Sequence, residues 1–334
     1  MSDGNRPSEP FGEIPKVDLE AVERSIASSS GSSGPAAARF RLVHEFGRTP
    51  PGALVEPITL AIDAEDRLIV LDRAADGAYR VVRFSVDQPQ GETLALLPRS
   101  DSEGILNPTG LALGSNRELY VCDGDLGAIV KFAPDGRWLE TYCTAGNEGG
   151  HFSSPRDVDV ADDGSICVAD SFNDRVAVLR PDGEAETLLT TFANPLSGEA
   201  NDTLFEPHSV CAGAKGEVFI ADTNQHRVLR LKNRSVTQVL GGVELFKLPH
   251  EVRLSRDRRT LFVADQGGAR IQRFDLARAA VNLAEARTGL MLLPRASADE
   301  APAVGGDIDI TAQGHLAMIN PRRLSAVLLD FQEP

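Results

Sequence analysis

Apolar and polar positions alternate with a period of two in short runs along most of this chain, and the runs come in sets. In the clearest set, His208–Ala212, Glu217–Ala221, His226–Leu231 and Ser235–Leu240 each alternate in this way. Between them stand Ala214-Lys215-Gly216, Asp222-Thr223-Asn224-Gln225 and Lys232-Asn233-Arg234, which are turn-forming stretches. A two-residue period enriched in Val, Ile, Leu and Phe is that of strands. No helical periodicity occurs inside the sets. Each set therefore predicts a four-stranded antiparallel meander.

The set returns six times. A residue opening the first strand is Pro57, Pro108, Pro155, Pro207, Pro249 and, last, Gly305. A residue ending the second strand is Asp72, Asp123, Asp170, Asp222, Asp265 and Asn320. The two marks lie 15 residues apart in every copy but the fifth, where the polar insertion Ser255–Arg259 makes it 16. The distance between successive second marks runs from 43 residues (Asp222 to Asp265) to 55 (Asp265 to Asn320), which four short strands and their turns fill. Repetition at this period means a solenoid or a propeller. Six units predict an all-β fold, a six-bladed β-propeller with blades around a central channel.

The two ends bear this out. The last copy holds only three strands, Asp307–Thr311, His315–Ile319 and Leu324–Phe331. Phe40–Phe46, ahead of the first mark, is read as the missing fourth. A ring closed by the N-terminal strand leaves no unpaired edge.

The recurring Pro, apolar strand, V-A-D, polar turn and R-[IV]-x-x-[FL], followed by P-D-G, resembles the NHL repeat. CVADSFNDRV, FIADTNQHRV, FVADQGGARI, FAPDG (Phe132–Gly136) and RPDG (Arg180–Gly183) carry the resemblance over roughly Pro57 to Asp330. It implies the propeller fold and little about activity, because such propellers serve as enzymes, scaffolds and binding modules.

Composition narrows the function classes. The net charge is −15, no basic run with interleaved aromatics occurs, and aromatics make up 5% of residues. Nucleic-acid binding relies on cations against phosphates and on aromatic stacking, so no nucleic-acid partner is expected, and no membrane partner. No apolar run reaches the roughly 20 residues that span a bilayer. The N-terminus MSDGNRPSEP lacks the apolar core of a secretion signal. Cys122, Cys143, Cys167 and Cys211 form no C-x-x-C pair and are read as reduced thiols. A cytoplasmic location is the expectation from these features. Residues 1–39 form a flexible tail and linker ahead of a propeller spanning 40–334. Within the tail, Val17–Ile26 has the spacing of a short amphipathic helix, and within 277–305 a short helix is expected at Ala279–Ala286 before a strand Leu290–Leu293.

Where the copies differ, chemistry can be specific. The two residues after each opening mark are Ile58-Thr59, Thr109-Gly110, Arg156-Asp157, His208-Ser209, His250-Glu251 and Gly306-Asp307. The first strand of a blade is innermost, so these positions ring one mouth of the channel. Ile58, Thr59, Thr109 and Gly110 form an inert half. Arg156, Asp157, His208, His250, Glu251 and Asp307 form a titratable half, costly to bury unless paired, hydrated or coordinated. His208, His250 and Glu251 are the candidate catalytic residues. Arg156 and Asp307 are candidate substrate-binding residues, with Arg73 and Arg322 on nearby loops suited to a carboxylate or phosphate. His44, His151, His226 and His315 fall elsewhere in the repeat and read as strand or surface residues. The second marks recur in blade after blade and read as architecture, capping turns and pairing with Arg175, Arg227 and Arg270 five residues on.

Within the NHL group, the Pro-His steps of EPHS and LPHE resemble those of the peptidyl-α-hydroxyglycine amidating lyases. There, histidines after such prolines hold zinc in the channel, and one precedes an acidic catalytic residue. The resemblance implies His208 and His250 as metal ligands, zinc the first choice of a divalent metal, and Glu251 as the acid. The chain departs from that pattern. Its two histidines lie on adjacent rather than alternate blades, and Asp125 stands where the lyases place a tyrosine, so the amidating activity itself is not carried over. Two readings follow: a channel-mouth enzyme of lyase or isomerase type acting on a small molecule or peptide, with or without a metal, or a non-catalytic propeller binding a protein or peptide partner.

Overall fold

The computed structural model describes residues 39–332 apart from positions 49, 51, 101–102, 148–149, 182–183, 242–244, 269, 277–286, 293–306 and 321–323. The tail segment 17–26 with its amphipathic spacing and the helix expected at 279–286 lie outside the described residues, as does Arg322. Six four-stranded antiparallel sheets form the blades of a β-propeller. Blade 4 shows the pattern, with strands Pro207–Ala212, Glu217–Asp222, Arg227–Lys232 and Ser235–Gly241 paired in chain order. These bounds fall within one residue of those read from the alternation. The first strands of the six blades neighbour one another in a closed ring around the channel.

Closure is made by the N-terminal strand. Arg39–Phe46 pairs antiparallel with Ser325–Gln332, with Phe40 opposite Phe331 and Phe46 opposite Ala326, and completes the sheet containing Leu316–Asn320 and Ile308–Ile310. The last-blade strand edge therefore finds its partner at the other end of the chain.

Hydrophobic burial follows the strand period and is divided among the blade interfaces. Leu71, Val81, Ile105, Val121 and Phe132 pack between blades 1 and 2, and Phe219, Val228, Phe246, Val263 and Phe274 between blades 4 and 5. The other four junctions hold clusters of the same kind, and that between blades 6 and 1 includes Phe46 of the closing strand. Each blade is thus half of two cores, so the ring is stabilised as a whole rather than blade by blade. The four cysteines carry no disulfide, and Cys122, Cys167 and Cys211 are buried in these walls.

The second marks are architectural, as the recurrence implied. Asp72 accepts the amides of Val55 and Glu56, Asp123 those of Leu106 and Asn107, and Asp265 those of Lys247 and Leu248. Asp170 and Asp222 accept the amides of Ser153 and Phe205. Arg175, Arg227 and Arg270 donate to the Asp five residues earlier and to a carbonyl of the incoming segment. Blade 1 uses Arg80, eight residues on from Asp72, for the same task. Two features escaped the strand pattern: the two-stranded ribbons of Thr144–Ala145 with His151–Phe152 and of Thr191–Phe192 with Asp202–Thr203. They supply the carbonyls of His151 and Thr203 to Arg175 and Arg227. Two-residue strands are too short for periodicity to reveal.

Candidate active site at one channel mouth

In blades 1 to 5 the first strand carries a bulge at one position. The pairing runs Pro57–Asp72 then Thr59–Leu71, Pro155–Asp170 then Asp157–Ala169, Pro207–Asp222 then Ser209–Ala221, and Pro249–Asp265 then Glu251–Ala264. Blade 2 slips in the same place, between Pro108 and Gly110. The skipped residues are Ile58, Thr109, Arg156, His208 and His250, so every side chain picked out directly after a proline is a bulge residue. A bulge bends its strand and re-aims the extra side chain, which simple alternation does not foresee. The residues ahead of two of these prolines, Ser154 and Glu206, have φ of 46° and 48°, an uncommon conformation for residues with a Cβ.

His208 and His250 meet edge to face, with ring centroids 4.6 Å apart and planes at 88°. Both rings keep some exposure toward the channel, but both Nδ1 atoms are buried and have no hydrogen-bond partner among the described residues. Arg156 stands beside them. Its Nε is likewise buried and unpartnered, and its guanidinium makes no ion pair among the described residues. Burial pushes the His208 imidazole well below its ordinary pKa, with repulsion from His250 and Arg156 adding to the effect. Burial and Arg156 bring His250 down to about 4, Asp157 acting in the opposite sense. Burial lowers Arg156 as well, against the attraction of Glu206. At neutral pH the mouth therefore holds two neutral imidazoles and one cation.

Each of the three is held through the carbonyl of its proline. Thr109 Oγ1 donates to Pro155 O at 2.8 Å, Ser171 Oγ to Pro207 O at 2.5 Å, and Thr223 Oγ1 to Pro249 O at 2.7 Å. All three donors belong to the preceding blade, so each bulge is pinned from its neighbour. Thr109 was assigned to the inert half, and the structure corrects this. Ser171 and Thr223 were missed because a hydroxyl next to an Asp reads as an ordinary turn residue. Their signal was present: both occupy the place directly after the second mark, on the blades just before His208 and His250.

The second residues after the prolines form a deeper layer. Glu251 accepts from Ser209 at 3.1 Å and pairs with Arg253 at 2.5 Å. Arg253 also forks onto Asp157 at 3.0 and 3.1 Å, and Ser209 donates to Asp157 at 2.7 Å. Asp157 and Ser209 further accept the amides of Val210 and Val252 on the following blades. Burial raises Glu251 well above its ordinary pKa, Arg253 opposing and Asp157 and Asp307 reinforcing. Burial, with Asp157, brings Asp307 up to about 7, while Thr59, Arg253 and the Leu60 amide favour its charged form. Thr59 Oγ1 and Asp307 Oδ2 are both buried, and the approach of the threonine hydroxyl to the carboxyl falls short of a well-formed hydrogen bond among the described residues. Thr59 thus also leaves the inert half. The structure brings His208, His250 and Arg156 together and places Glu251 and Asp307 one layer below, where Glu251 bonds to Arg253 and Ser209 rather than to an imidazole. Arg73 sits apart, partly exposed beside Glu56 at 3.6 Å.

The far end of the channel differs. A cavity of about 280 Å³ there is lined by Asp159, Cys211, Arg253 and Asp309. The fifth-blade insertion spans that face: Arg258 forms two bonds to Asp162 of blade 3, and Arg256 reaches Asp66 of blade 1 at 3.4 Å. Asp159 and Asp309 there accept the amides of Ala212 and Ile62 on the next blades.

A resident zinc ion would need at least three protein ligands at this mouth. Two imidazoles are two donors, no group of three His, Cys, Asp or Glu side chains suited to a metal occurs among the described residues, and the Arg156 cation acts on both imidazoles. Structural zinc sites use four protein ligands and catalytic ones three. Among the described residues the donor set does not fit a resident zinc ion.

Residues 206–231 match the NHL repeat family. That stretch contains Pro207, His208, Ser209, Asp222, Thr223 and Arg227. The fold resembles that of a virginiamycin B lyase from Staphylococcus aureus, solved with quinupristin in a form inactivated by replacing one histidine with alanine, at 12% identity and TM-score 0.53 over 87% of this chain and 99% of that one. A gluconolactonase from Xanthomonas campestris superimposes with TM-score 0.57 at 16% identity, covering 88% and 90% of the two chains. A chain of the nidogen/laminin complex does so with TM-score 0.53 at 20% identity, over 70% and 79%. At these identities the likeness is one of fold. No helix among the described residues is long and apolar enough to cross a membrane.

Proposed function

We propose that this propeller is an enzyme of lyase or isomerase type acting on a small molecule or peptide, with its active centre at the mouth formed by Arg156, His208 and His250. The observation that carries this reading is the pair of imidazoles at 4.6 Å whose Nδ1 atoms, like Arg156 Nε, are buried without partners. A fold leaves few buried polar atoms unpaired, because each costs about 1–3 kcal/mol. Three together at a channel mouth are groups awaiting a ligand.

The chemistry follows from the protonation states. One neutral imidazole accepts a proton from substrate carbon or oxygen. Its partner donates an N–H to the oxygen where negative charge develops, a task for which a depressed pKa is suited. Arg156 stabilises the same charge. The buried layer of Asp157, Ser209, Glu251 and Arg253 holds the bulges rigid beneath. No step requires a metal. That a histidine is essential in the similarly folded virginiamycin B lyase, and that another such fold is a gluconolactonase, supports a catalytic use of this architecture on small molecules.

Incubation of the purified protein with a panel of lactones, cyclic esters and short peptides, with products read by mass spectrometry, tests the proposal. Turnover that falls by about 10²–10⁴-fold in both His208→Ala and His250→Ala, with unchanged melting temperatures, supports it. Turnover equal in wild type and both variants contradicts it. A second reading, a binding module for a protein or peptide, draws on the apolar rim of the same face, where Phe172, Phe205 and Leu248 are exposed. It gains if nothing in the panel is turned over and a partner is held in a manner sensitive to Phe172→Ala.

A further inference from the structure

We propose that the ligand of this mouth is a monocarboxylate with an apolar body, its carboxylate bound by Arg156 beside the two histidines and its body lying on the rim of Phe172 and Phe205. This rests on the assignment of the mouth as the active centre and adds the class of compound that it takes.

The first observation is the state of Arg156. Its side chain is half-buried at the start of blade 3, its Nε is fully buried without a partner, and among the described residues it makes neither hydrogen bond nor ion pair. By contrast the buried arginines among the described residues, Arg175, Arg227 and Arg253, each hold a carboxylate. A buried guanidinium N–H without an acceptor costs free energy that a bound anion recovers. The acidic group that most influences it, Glu206, acts at a distance and is itself bonded to Asn224 at 2.7 Å. A ligand anion completes what the fold leaves open.

The second observation sets the anion's charge and size. Among the described residues Arg156 is the cation that acts on the two neutral imidazoles, and Asp157 and Glu206 lie close by. One planar fork with five donors matches one carboxylate in bidentate fashion. A phosphate dianion would face an excess of negative charge, in a chain of net charge −15. The neutral imidazoles add N–H donors without adding charge.

The third observation gives the ligand its other half. Phe172 and Phe205 are 44% and 41% exposed. Phe172 follows Ser171, whose hydroxyl holds Pro207, and Phe205 lies two residues before that proline, its amide tied to Asp222. The two rings therefore flank the approach to His208. Sites of this kind are mostly apolar with a few convergent polar groups.

Phenylacetate, acetate and the neutral isostere phenylacetamide are suitable probes, titrated into protein carrying ¹⁵N-labelled histidine and read by NMR. Phenylacetate should shift the His208 and His250 signals saturably and at least about tenfold more tightly than phenylacetamide or acetate. It should also raise the pKa of both imidazoles, because the bound anion cancels the repulsion from Arg156. Arg156→Gln should erase the preference for the acid over the amide, and Arg156→Lys should retain part of it, which separates loss of charge from loss of fold. Phe172→Ala should weaken phenylacetate and leave acetate unchanged. Equal binding of acid and amide, a preference that survives Arg156→Gln, or no shift of either histidine up to the solubility limit would each overturn the proposal. Turnover confined to uncharged substrates would sink the carboxylate while leaving the enzyme. Tight carboxylate binding without turnover of any compound would do the reverse.

Discussion

Ser171 donates its hydroxyl to the carbonyl of Pro207 at 2.5 Å, across the boundary between blades 3 and 4. Thr223 repeats the contact one blade on, toward Pro249. The carbonyls concerned belong to the peptide bonds that begin His208 and His250, so the angle of each imidazole is set by the neighbouring blade. Ser171→Ala and Thr223→Ala should each cost about 1 kcal/mol, the usual net worth of one such bond, read by urea melts. Both should also move the ¹⁵N signals of the histidine they hold, and Ser171→Thr should restore them. Unchanged histidine signals in the Ala variants would show that the hydroxyls only stabilise.

Much of the fold could be read along the chain because its signals are local. Strand alternation, turn residues and the Pro and Asp marks each occupy a few consecutive positions, so six blades and the closing strand followed from counting. The pairing of His208 with His250 was also legible, as two copies of one mark on adjacent blades. The bulge was not, because it is a register shift between two strands and leaves no trace in either alone. Hence Glu251 was grouped with the histidines when it lies with Arg253, one layer deeper. Thr109 and Thr59 looked inert because their roles depend on Pro155 and Asp307, residues of other blades. Arg256 and Arg258 read as a polar insertion, and only the ring brings blades 1 and 3 within their reach.

Asp222 accepts the Phe205 amide and the Arg227 guanidinium, and is fully buried. Asp222→Ala leaves Arg227 without its inner partner, although Asp202 still holds the outer side. The cost should be about 3 kcal/mol, the low end for breaking a buried pair. Phenylacetate binding at temperatures where the variant stays folded should be unaffected. Loss of binding with stability intact would overturn the architectural reading of the second marks.

Asp307 provides a pH signature. Its folded pKa, about 7, lies above the value of an exposed carboxyl, so the folded state holds the proton more tightly than the unfolded one. Its contribution to stability is present below about pH 4 and is lost as pH rises toward 7. His250, brought down to about 4, acts in the opposite sense: its contribution is present above about pH 6.5 and is lost as pH falls toward 4. Asp307→Asn removes the first effect alone. The variant should therefore gain stability relative to wild type between pH 5 and pH 8. A difference in melting temperature that does not change over that range would contradict the assignment.

Closure gives a test by truncation. Removing residues 1–46 deletes the strand that pairs with Ser325–Gln332 and takes Phe46 from the core between blades 6 and 1. The melting temperature should fall steeply, whereas removal of residues 1–36 should leave it nearly unchanged. Equal losses from the two truncations would contradict closure by this strand.

The most direct test of the active centre is the pH dependence of kcat/KM, for a substrate found in the panel, in wild type and His250→Gln. A neutral imidazole with a pKa near 4 predicts a rate that climbs tenfold per pH unit below that value and is flat from about pH 5 to 8. His250→Gln should lose about 10²-fold or more with its melting temperature preserved. An undiminished rate in the variant, or a wild-type limb centred at pH 6.5 or above, would contradict catalysis by this histidine pair.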